Sequence, residues 1–196
     1  MKTSELTRRW FGIATFMLVA LLALGCGPSW TVVAQRNPNP MAAQREFLVA
    51  PVGYVGLMVG DKTEAQYLAG KDGEQQQSFL ADKAETAKNM TELLITTAAE
   101  GGVNVRQASG EGGPFVLVPN ITFLEPGNFN GFVNIATTVE MRLRIIDAQQ
   151  QPVDEVIFRA TIPASMMNPS SGGRMHSAGK NLGEQAGQYL LSRTGR

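Results

Sequence analysis

Two stretches of the chain alternate between hydrophobic and polar positions. From Phe132 to Ile146, every second residue from Val133 onward is apolar or threonine, and most of the residues between are polar or charged. A second alternating stretch runs from Val153 to Ile162. Because successive side chains of a strand point to opposite faces, each stretch is predicted to be a strand with one buried face.

Opposite charges predict how these two strands pair. One antiparallel register brings acidic residues opposite basic ones and apolar residues opposite apolar ones. Its facing pairs are Arg144 with Glu155, Glu140 with Arg159, Thr138 with Thr161, Leu143 with Val156 and Met141 with Phe158. Charge pairs and a single apolar face both specify register, so the two strands are predicted to form a hairpin.

Two other stretches have the spacing of amphipathic helices. Apolar or small side chains recur at intervals of three and four between Ser78 and Ala99, and the Gly101–Gly102 pair is expected to end that helix. A second helix is predicted from Ser177 to Arg193, after a flexible loop over residues 163–175. Residues 61–77 are polar and receive no assignment.

Shorter strands complete the predicted fold. They are expected at residues 46–52, 103–105 and 115–124, with another within 53–60, and Pro119 suggests an edge position or a bulge. Two helices and a mostly antiparallel sheet of four to six strands predict an α+β (α/β) domain. We expect it to span residues 45–196 as a two-layer sandwich, with both helices on one face of the sheet.

The first 25 residues have the three regions of an export signal. Basic Lys2, Arg8 and Arg9 precede an apolar run from Trp10 to Leu24. This run is shorter than the ~20 residues of a spanning helix, although an uncleaved transmembrane helix remains an alternative. Residues 7–11 also resemble a twin-arginine signal, so both that route and general secretion stay open.

Cys26 is the only cysteine and directly follows Ala23-Leu24-Gly25. This tetrapeptide resembles the lipobox of bacterial lipoproteins, although a secretory signal with an incidental cysteine is an alternative. The resemblance implies removal of residues 1–25, acylation of Cys26 with groups such as palmitate, and attachment to a membrane by acyl chains. Enteric lipoproteins kept in the inner membrane carry aspartate after the cysteine. Gly27 at that position therefore implies the outer membrane, with the domain facing the periplasm.

Residues 26–44 are predicted to be the lipidated terminus and a flexible tether. Three prolines and two asparagines interrupt any periodicity between Gly27 and Gln44, as is typical of a linker. Such a tether would hold the globular part away from the lipid surface.

Charge argues against nucleic acid as a partner. The chain has 17 basic and 17 acidic residues, and loss of three basic and one acidic residue with the leader gives a formal net charge of −2. A chain with this balance has no electrostatic reason to bind nucleic acid or anionic lipid.

The sequence has no catalytic signature, and we expect no enzymatic activity, cofactor or metal site. His176 is the only histidine, predicted in a loop beside Ser177, and no Gly-x-Ser-x-Gly motif is present. A Ser-His-Asp site also needs an oriented acid and a nucleophile on a rigid turn, which this stretch does not supply. An enzyme using the loop around His176 is the alternative. Asp154 and Glu155 are adjacent in a strand and point to opposite faces, so they cannot share a substrate.

Gly179, Gly183 and Gly187 recur every four residues along the second helix. A glycine inside a helix costs up to about 1 kcal/mol relative to alanine, so the ridge they form needs a compensating role. That role is either close packing inside the domain or a docking surface for a partner protein.

The long hairpin also has two interpretations. Half-buried strands of ordinary sheets alternate in this way, and so do transmembrane β-strands of ~9–11 residues. We therefore expect a non-enzymatic, membrane-anchored accessory or assembly component of an envelope complex, with an envelope protein or a second copy as partner. The alternative is an oligomeric pore or export channel that inserts the hairpin over residues 132–162.

The order of elements over residues 78–193 is similar to that of small envelope lipoproteins of the curli-secretion-type and transport-auxiliary kinds. This resemblance is one of pattern and has no motif residues behind it.

Overall fold

The computed structural model describes residues 30–109, 113–130 and 134–195. The helices of this part are α1 (Glu64–Ala69), α2 (Gly73–Glu100) and α3 (Ser171–Thr194). The strands are β1 (Trp30–Gln35), β2 (Glu46–Val49), β3 (Met58–Val59), β4 (Lys62–Thr63), β5 (Asn104–Gln107), β6 (Phe115–Glu125), β7 (Asn128–Phe129), β8 (Asn134–Ile135), β9 (Thr137–Asp147) and β10 (Pro152–Ile162). The α+β class predicted from the sequence is confirmed.

The main sheet is larger and more mixed than predicted. Among the described residues it has eight strands in the order β1-β10-β9-β6-β2-β5, with β3 and β4 attached beside β6. Strand β2 runs parallel to β5 and β6, and β3 runs parallel to β6. The prediction of four to six strands with two helices is therefore wrong, because β1, β4 and α1 come from stretches with no clear periodicity.

The β9–β10 hairpin has the predicted register. All five predicted facing pairs are present, and Arg159 Nη2 lies 2.8 Å from Glu140 Oε2. Glu155 faces Arg144 but forms its ion pair diagonally, with Arg142 at 2.7 Å. Strand β9 starts at Thr137, because residues 134–135 belong to β8 in a separate two-stranded sheet.

The apolar face of this hairpin lies at the centre of the core. Val139, Met141 and Leu143 are fully buried, and α3 packs over both strands. Strand β9 is paired with β6 on its other side, and β10 with β1. A hairpin paired on both edges and covered by a helix cannot enter a bilayer while the sheet is intact, so the pore interpretation of residues 132–162 does not fit this fold.

Pro119 lies in a central strand, although a bulge does follow between Ile121 and Phe123. Strand β2 has ended at Val49, and the chain returns to β6 only at Gly53, whose N–H donates to the Pro119 carbonyl at 2.9 Å. The residue without an N–H therefore lies where its neighbouring strand is interrupted, as is typical of a proline within a sheet.

Both long helices begin earlier than their apolar spacing predicts. Helix α2 is capped by Asp72, whose side chain accepts from the Gln75 N–H at 2.8 Å, and α3 is capped by Ser170. The predicted loop therefore ends at residue 170 rather than 175. The left-handed residue after α2 is Gly102, with φ of 79°.

Residues 30–44 belong to the folded domain, so the predicted tether is wrong for this stretch. Strand β1 pairs with β10 along its length, and Met41 is fully buried. Two of the three prolines that suggested a linker, Pro38 and Pro40, lie in the turn between β1 and β2, where missing N–H groups do no harm. Pro28 lies outside the described residues.

Candidate functional site

Cys26 lies outside the described residues, which begin at Trp30. Four peptide units join the two residues, and an extended chain spans at most about 3.6 Å per residue. The Cα atom of Cys26 is therefore within roughly 14 Å of that of Trp30. Any lipid on Cys26 would be attached close to the first residue of the sheet.

The direction of β1 shows which end of the sheet the chain enters. Trp30 faces Phe158 and Gln35 faces Asp154, so β1 runs away from the end at which β10 finishes, at Ile162. We call this the Ile162 end of the sheet. Strand β9 starts at the same end, where Thr137 faces Ile162.

Two loops without charged residues lie at the Ile162 end. No charged residue occurs in residues 160–173 or in residues 126–139. The first stretch includes the connection from β10 to α3, and the second includes β7 and β8. Met166 is 87% exposed and Met167 is 97% exposed, while Ile135 of β8 is 46% exposed.

The buried guanidinium of Arg174 joins the two loops. In the first loop, its Nη1 donates to the carbonyls of Pro169 at 2.6 Å and Asn168 at 3.1 Å. Its Nη2 donates to the carbonyl of Pro126 at 3.3 Å, and its Nε to Thr137 Oγ1 at 2.9 Å. Arg174 is fully buried, and burial lowers its pKa. Carbonyl and hydroxyl oxygens stabilise this charge, and the base of each loop is fixed as a result.

A second buried polar cluster holds β1 on the sheet. The fully buried Asp154 carboxylate accepts from Arg193 Nε and from the Tyr189 hydroxyl, each at 2.7 Å. The Gln35 amide donates to the Tyr189 hydroxyl at 2.9 Å, and the Arg36 N–H donates to Asp154 Oδ1 at 3.4 Å. Strand β1 is thereby linked to β10 and to α3.

Burial is the main reason that the pKa of Tyr189 is raised, and the hydrogen bond to Asp154 raises it further. Its ring also meets the Trp30 ring edge-on at 5.7 Å and the Phe158 ring at 6.0 Å. Aromatic contacts of this geometry contribute about 0.5–1.5 kcal/mol beyond their burial. The first strand therefore has both polar and aromatic attachments to the core.

The three regularly spaced glycines lie inside the contact between α2 and α3. A Cβ atom on Gly179 would lie 2.4 Å from the Thr86 carbonyl oxygen, and one on Gly183 would lie 2.2 Å from that of Met90. A Cβ on Gly187 would meet Thr97 at 2.6 Å. Internal close packing accounts for the ridge. The alternative, a partner surface, is incorrect because α2 covers these positions.

The remaining candidates are separated by the fold. His176 lies in α3 rather than in a loop, with Nε2 3.1 Å from Asp82 Oδ1. The Ser177 hydroxyl donates to the Gly173 carbonyl at 2.9 Å instead of meeting the histidine. Asp154 points to the helices and Glu155 to the open sheet face, as predicted.

Within residues 30–109, 113–130 and 134–195, no group of three His, Cys, Asp or Glu side chains is arranged to hold a metal ion. None of the helices in the same ranges is long and apolar enough to cross a bilayer.

No protein-family model matches the sequence, and no curated protein matches it. Several solved structures are similar in fold. The PelC dodecamer of Paraburkholderia phytofirmans is 12% identical, with a TM-score of 0.45, over 80% of this chain and 96% of that one. A DUF330 protein of Xanthomonas campestris is 13% identical, with a TM-score of 0.47, over 83% and 93%.

A minor lipoprotein of Acinetobacter baumannii is 11% identical, with a TM-score of 0.42, over 76% of this chain and 93% of that one. All three TM-scores are below 0.5. The function of this chain is therefore inferred from its own residues.

Sequence reasoning missed both buried polar clusters. Arg174 follows two glycines in a stretch typical of loops, and its partners are backbone carbonyls that no side-chain pattern reveals. A signal did exist for the other cluster, because Tyr189 and Arg193 are four residues apart on one face of a helix. It pointed to no partner until β10 was placed beneath them.

Proposed function

We propose that this chain is a lipid-anchored protein of the bacterial envelope that acts, without catalysis, as an accessory or assembly component of an envelope complex. Acyl groups on Cys26 hold it in the outer membrane, with the domain in the periplasm. The observation that carries the proposal is the cysteine directly after Ala23-Leu24-Gly25, at the end of an export signal.

The place where the fold begins supports this proposal. Because β1 starts four residues after Cys26, the domain is held against the membrane rather than at the end of a long tether. An edge strand joined directly to an anchor must bear any force on it. The buried links from Asp154, Tyr189 and Gln35 to the rest of the sheet are suited to that role.

The partner is an envelope protein or a second copy of the chain. Strands β1 and β5 are the two ends of the strand order in the main sheet, and each presents backbone groups to which another strand could pair. Val32 and Val33 of β1 are 42% and 50% exposed, which favours β1 for such a contact.

The anchor is tested by feeding labelled palmitate to cells that express the wild type or Cys26→Ser. We expect label in the wild type only, and its recovery with the outer membrane on a density gradient. Equal labelling of both proteins would refute lipidation at Cys26. The accessory role is tested by cross-linking in intact cells, where a specific adduct with one envelope protein or with a second copy is expected.

A further inference from the structure

We infer that the turn Ser165–Asn168 is a membrane contact, with Met166 and Met167 entering the headgroup region of a phospholipid bilayer beside the lipid anchor. This inference rests on the anchor proposed above. It adds a second point of attachment and therefore a defined orientation of the domain.

The shape of the turn is the first support. The Asn168 N–H donates to the Ser165 carbonyl at 3.1 Å, which is the closing hydrogen bond of a four-residue turn. Met166 and Met167 are thus its two central residues. Those positions usually hold Gly, Asn, Asp or Pro, whereas here two long apolar side chains are 87% and 97% exposed. Side chains this exposed bury almost no apolar surface and therefore do not stabilise a turn that faces water.

The second support is the rigidity of the turn's base. Arg174 binds the carbonyls of Asn168 and Pro169, and its bonds to Pro126 and Thr137 fix the base of the segment that carries β7 and β8. A buried guanidinium that holds both loops keeps the two methionines at a set height above the Ile162 end. An ordered turn loses less entropy on entering an interface than a mobile one does.

The position of the anchor is the third support, and it selects lipid as the occupant. Strand β1 enters from the Ile162 end, and Cys26 lies within roughly 14 Å of Trp30. β10 reaches Ile162 four residues beyond the position that faces Trp30, a distance of about 13 Å along a strand. An acyl chain on Cys26 would therefore bring the bilayer to the same end of the domain as the turn.

The lack of charge in residues 160–173 and 126–139 is the fourth support. Burial of apolar side chains, rather than attraction to anionic headgroups, would drive this contact. It should therefore be insensitive to salt, since only electrostatic contacts are screened.

The test uses an introduced cysteine, because Cys26 is the only native one and its thiol is blocked once it is lipidated. Met167→Cys is produced as the mature lipidated protein, labelled with an environment-sensitive thiol fluorophore and reconstituted into phosphatidylethanolamine–phosphatidylglycerol vesicles. Gln149→Cys is the matched control, because Gln149 is exposed in the β9–β10 turn at the opposite end of the sheet. Quenching by spin-labelled lipid and by aqueous iodide is measured for both.

We expect spin-labelled lipid to quench the label at 167 at least twofold more than the label at 149, equally at low and high salt. Iodide quenching should show the reverse order. The inference is overturned if iodide quenches both labels alike, or if the label at 167 is protected from both quenchers, which would indicate a protein contact. Two labels per chain in the control would mean that the Cys26 thiol is free, and then the anchor fails rather than the turn.

Discussion

The hydroxyl of Tyr189 donates a 2.7 Å hydrogen bond to the buried carboxylate of Asp154, and Arg193 donates to the same oxygen. A carboxylate this deeply buried is stable in its charged form only when hydrogen bonds and an opposite charge replace water. Since Tyr189 also accepts from Gln35, the pair connects the last helix to the first strand. The strand nearest the proposed anchor is thus fixed from inside the domain.

Tyr189→Phe should destabilise the protein by about 1.5–3 kcal/mol, the usual contribution of a hydrogen bond to a charged group. Urea unfolding of the purified mature protein in detergent measures this change. Tyr54→Phe is the control, because its hydroxyl donates only to the neutral Lys83 carbonyl at 3.1 Å. A Tyr189→Phe protein no less stable than Tyr54→Phe would contradict the role of this bond.

Asp147 predicts a pH dependence. Its side chain accepts from Arg36 Nη1 at 2.8 Å, and this bond is the main reason that the pKa of Asp147 lies below its ordinary value of 3.8, followed by the bond from the Gln151 N–H. A carboxyl whose pKa falls on folding stabilises the protein above about pH 4, and that stabilisation is lost as the pH drops through the folded pKa.

Asp147→Asn should therefore lower the melting temperature at pH 7, and the difference from the wild type should shrink below pH 4. Asp61→Asn, which removes an exposed carboxylate in the β3–β4 turn, is measured beside it as the matched control. A gap for Asp147→Asn that persists unchanged at pH 3 would show that charge is not the cause.

The elements that could be predicted are those whose signal is local. Alternating side chains and opposite charges predicted the β9–β10 register correctly, and Glu140 and Arg159 directly face each other. The helix starts were misplaced because Asp72 and Ser170 each precede a polar or glycine-rich turn. In those turns the apolar spacing begins only after the helix has started.

The rest depended on tertiary contacts. Strand β1 is an edge strand followed by prolines, and only its pairing with β10 and the packing of Trp30 distinguish it from a linker. Arginine is a residue type that is usually exposed, and the burial of Arg174 depends on carbonyls from two distant loops. For the candidate site, the sequence supplied Cys26 but not the surface that lies near it.

The contact of Gly183 with the Met90 carbonyl predicts that even one methyl group is harmful. Alanine would favour the helix by up to about 1 kcal/mol, but its Cβ would lie 2.2 Å from the Met90 oxygen and 2.9 Å from Leu93 Cβ. Overpacking of this kind costs about 1–3 kcal/mol, so Gly183→Ala should lower the melting temperature.

The control for Gly183→Ala is Gly73→Ala, since a Cβ on Gly73 at the start of α2 meets nothing within 4 Å. That change should be neutral or slightly stabilising in the same thermal melt. If Gly183→Ala melts no lower than Gly73→Ala, the glycine ridge is not a tight internal contact.

The last prediction separates the two roles of Arg174. Arg174→Met keeps much of the side-chain volume but removes the guanidinium donors to Pro126, Asn168 and Pro169. Of these carbonyls, that of Pro126 still accepts from Thr137 Oγ1 at 2.6 Å. A hydrogen bond to a charged group contributes about 1.5–3 kcal/mol, so the free energy of unfolding measured in urea should fall by at least that amount.

Arg174→Lys keeps the charge and can donate to some of these carbonyls, but it lacks the fork that reaches both loops. We expect it to regain part of the stability while the Ser165–Asn168 turn stays loose. When Arg174→Lys is added to the labelled Met167→Cys protein, spin-labelled lipid should quench the label less than it does in the parent protein with Arg174. If lipid quenching in Arg174→Lys equals that of the parent protein while stability falls, Arg174 supports the fold without positioning the turn.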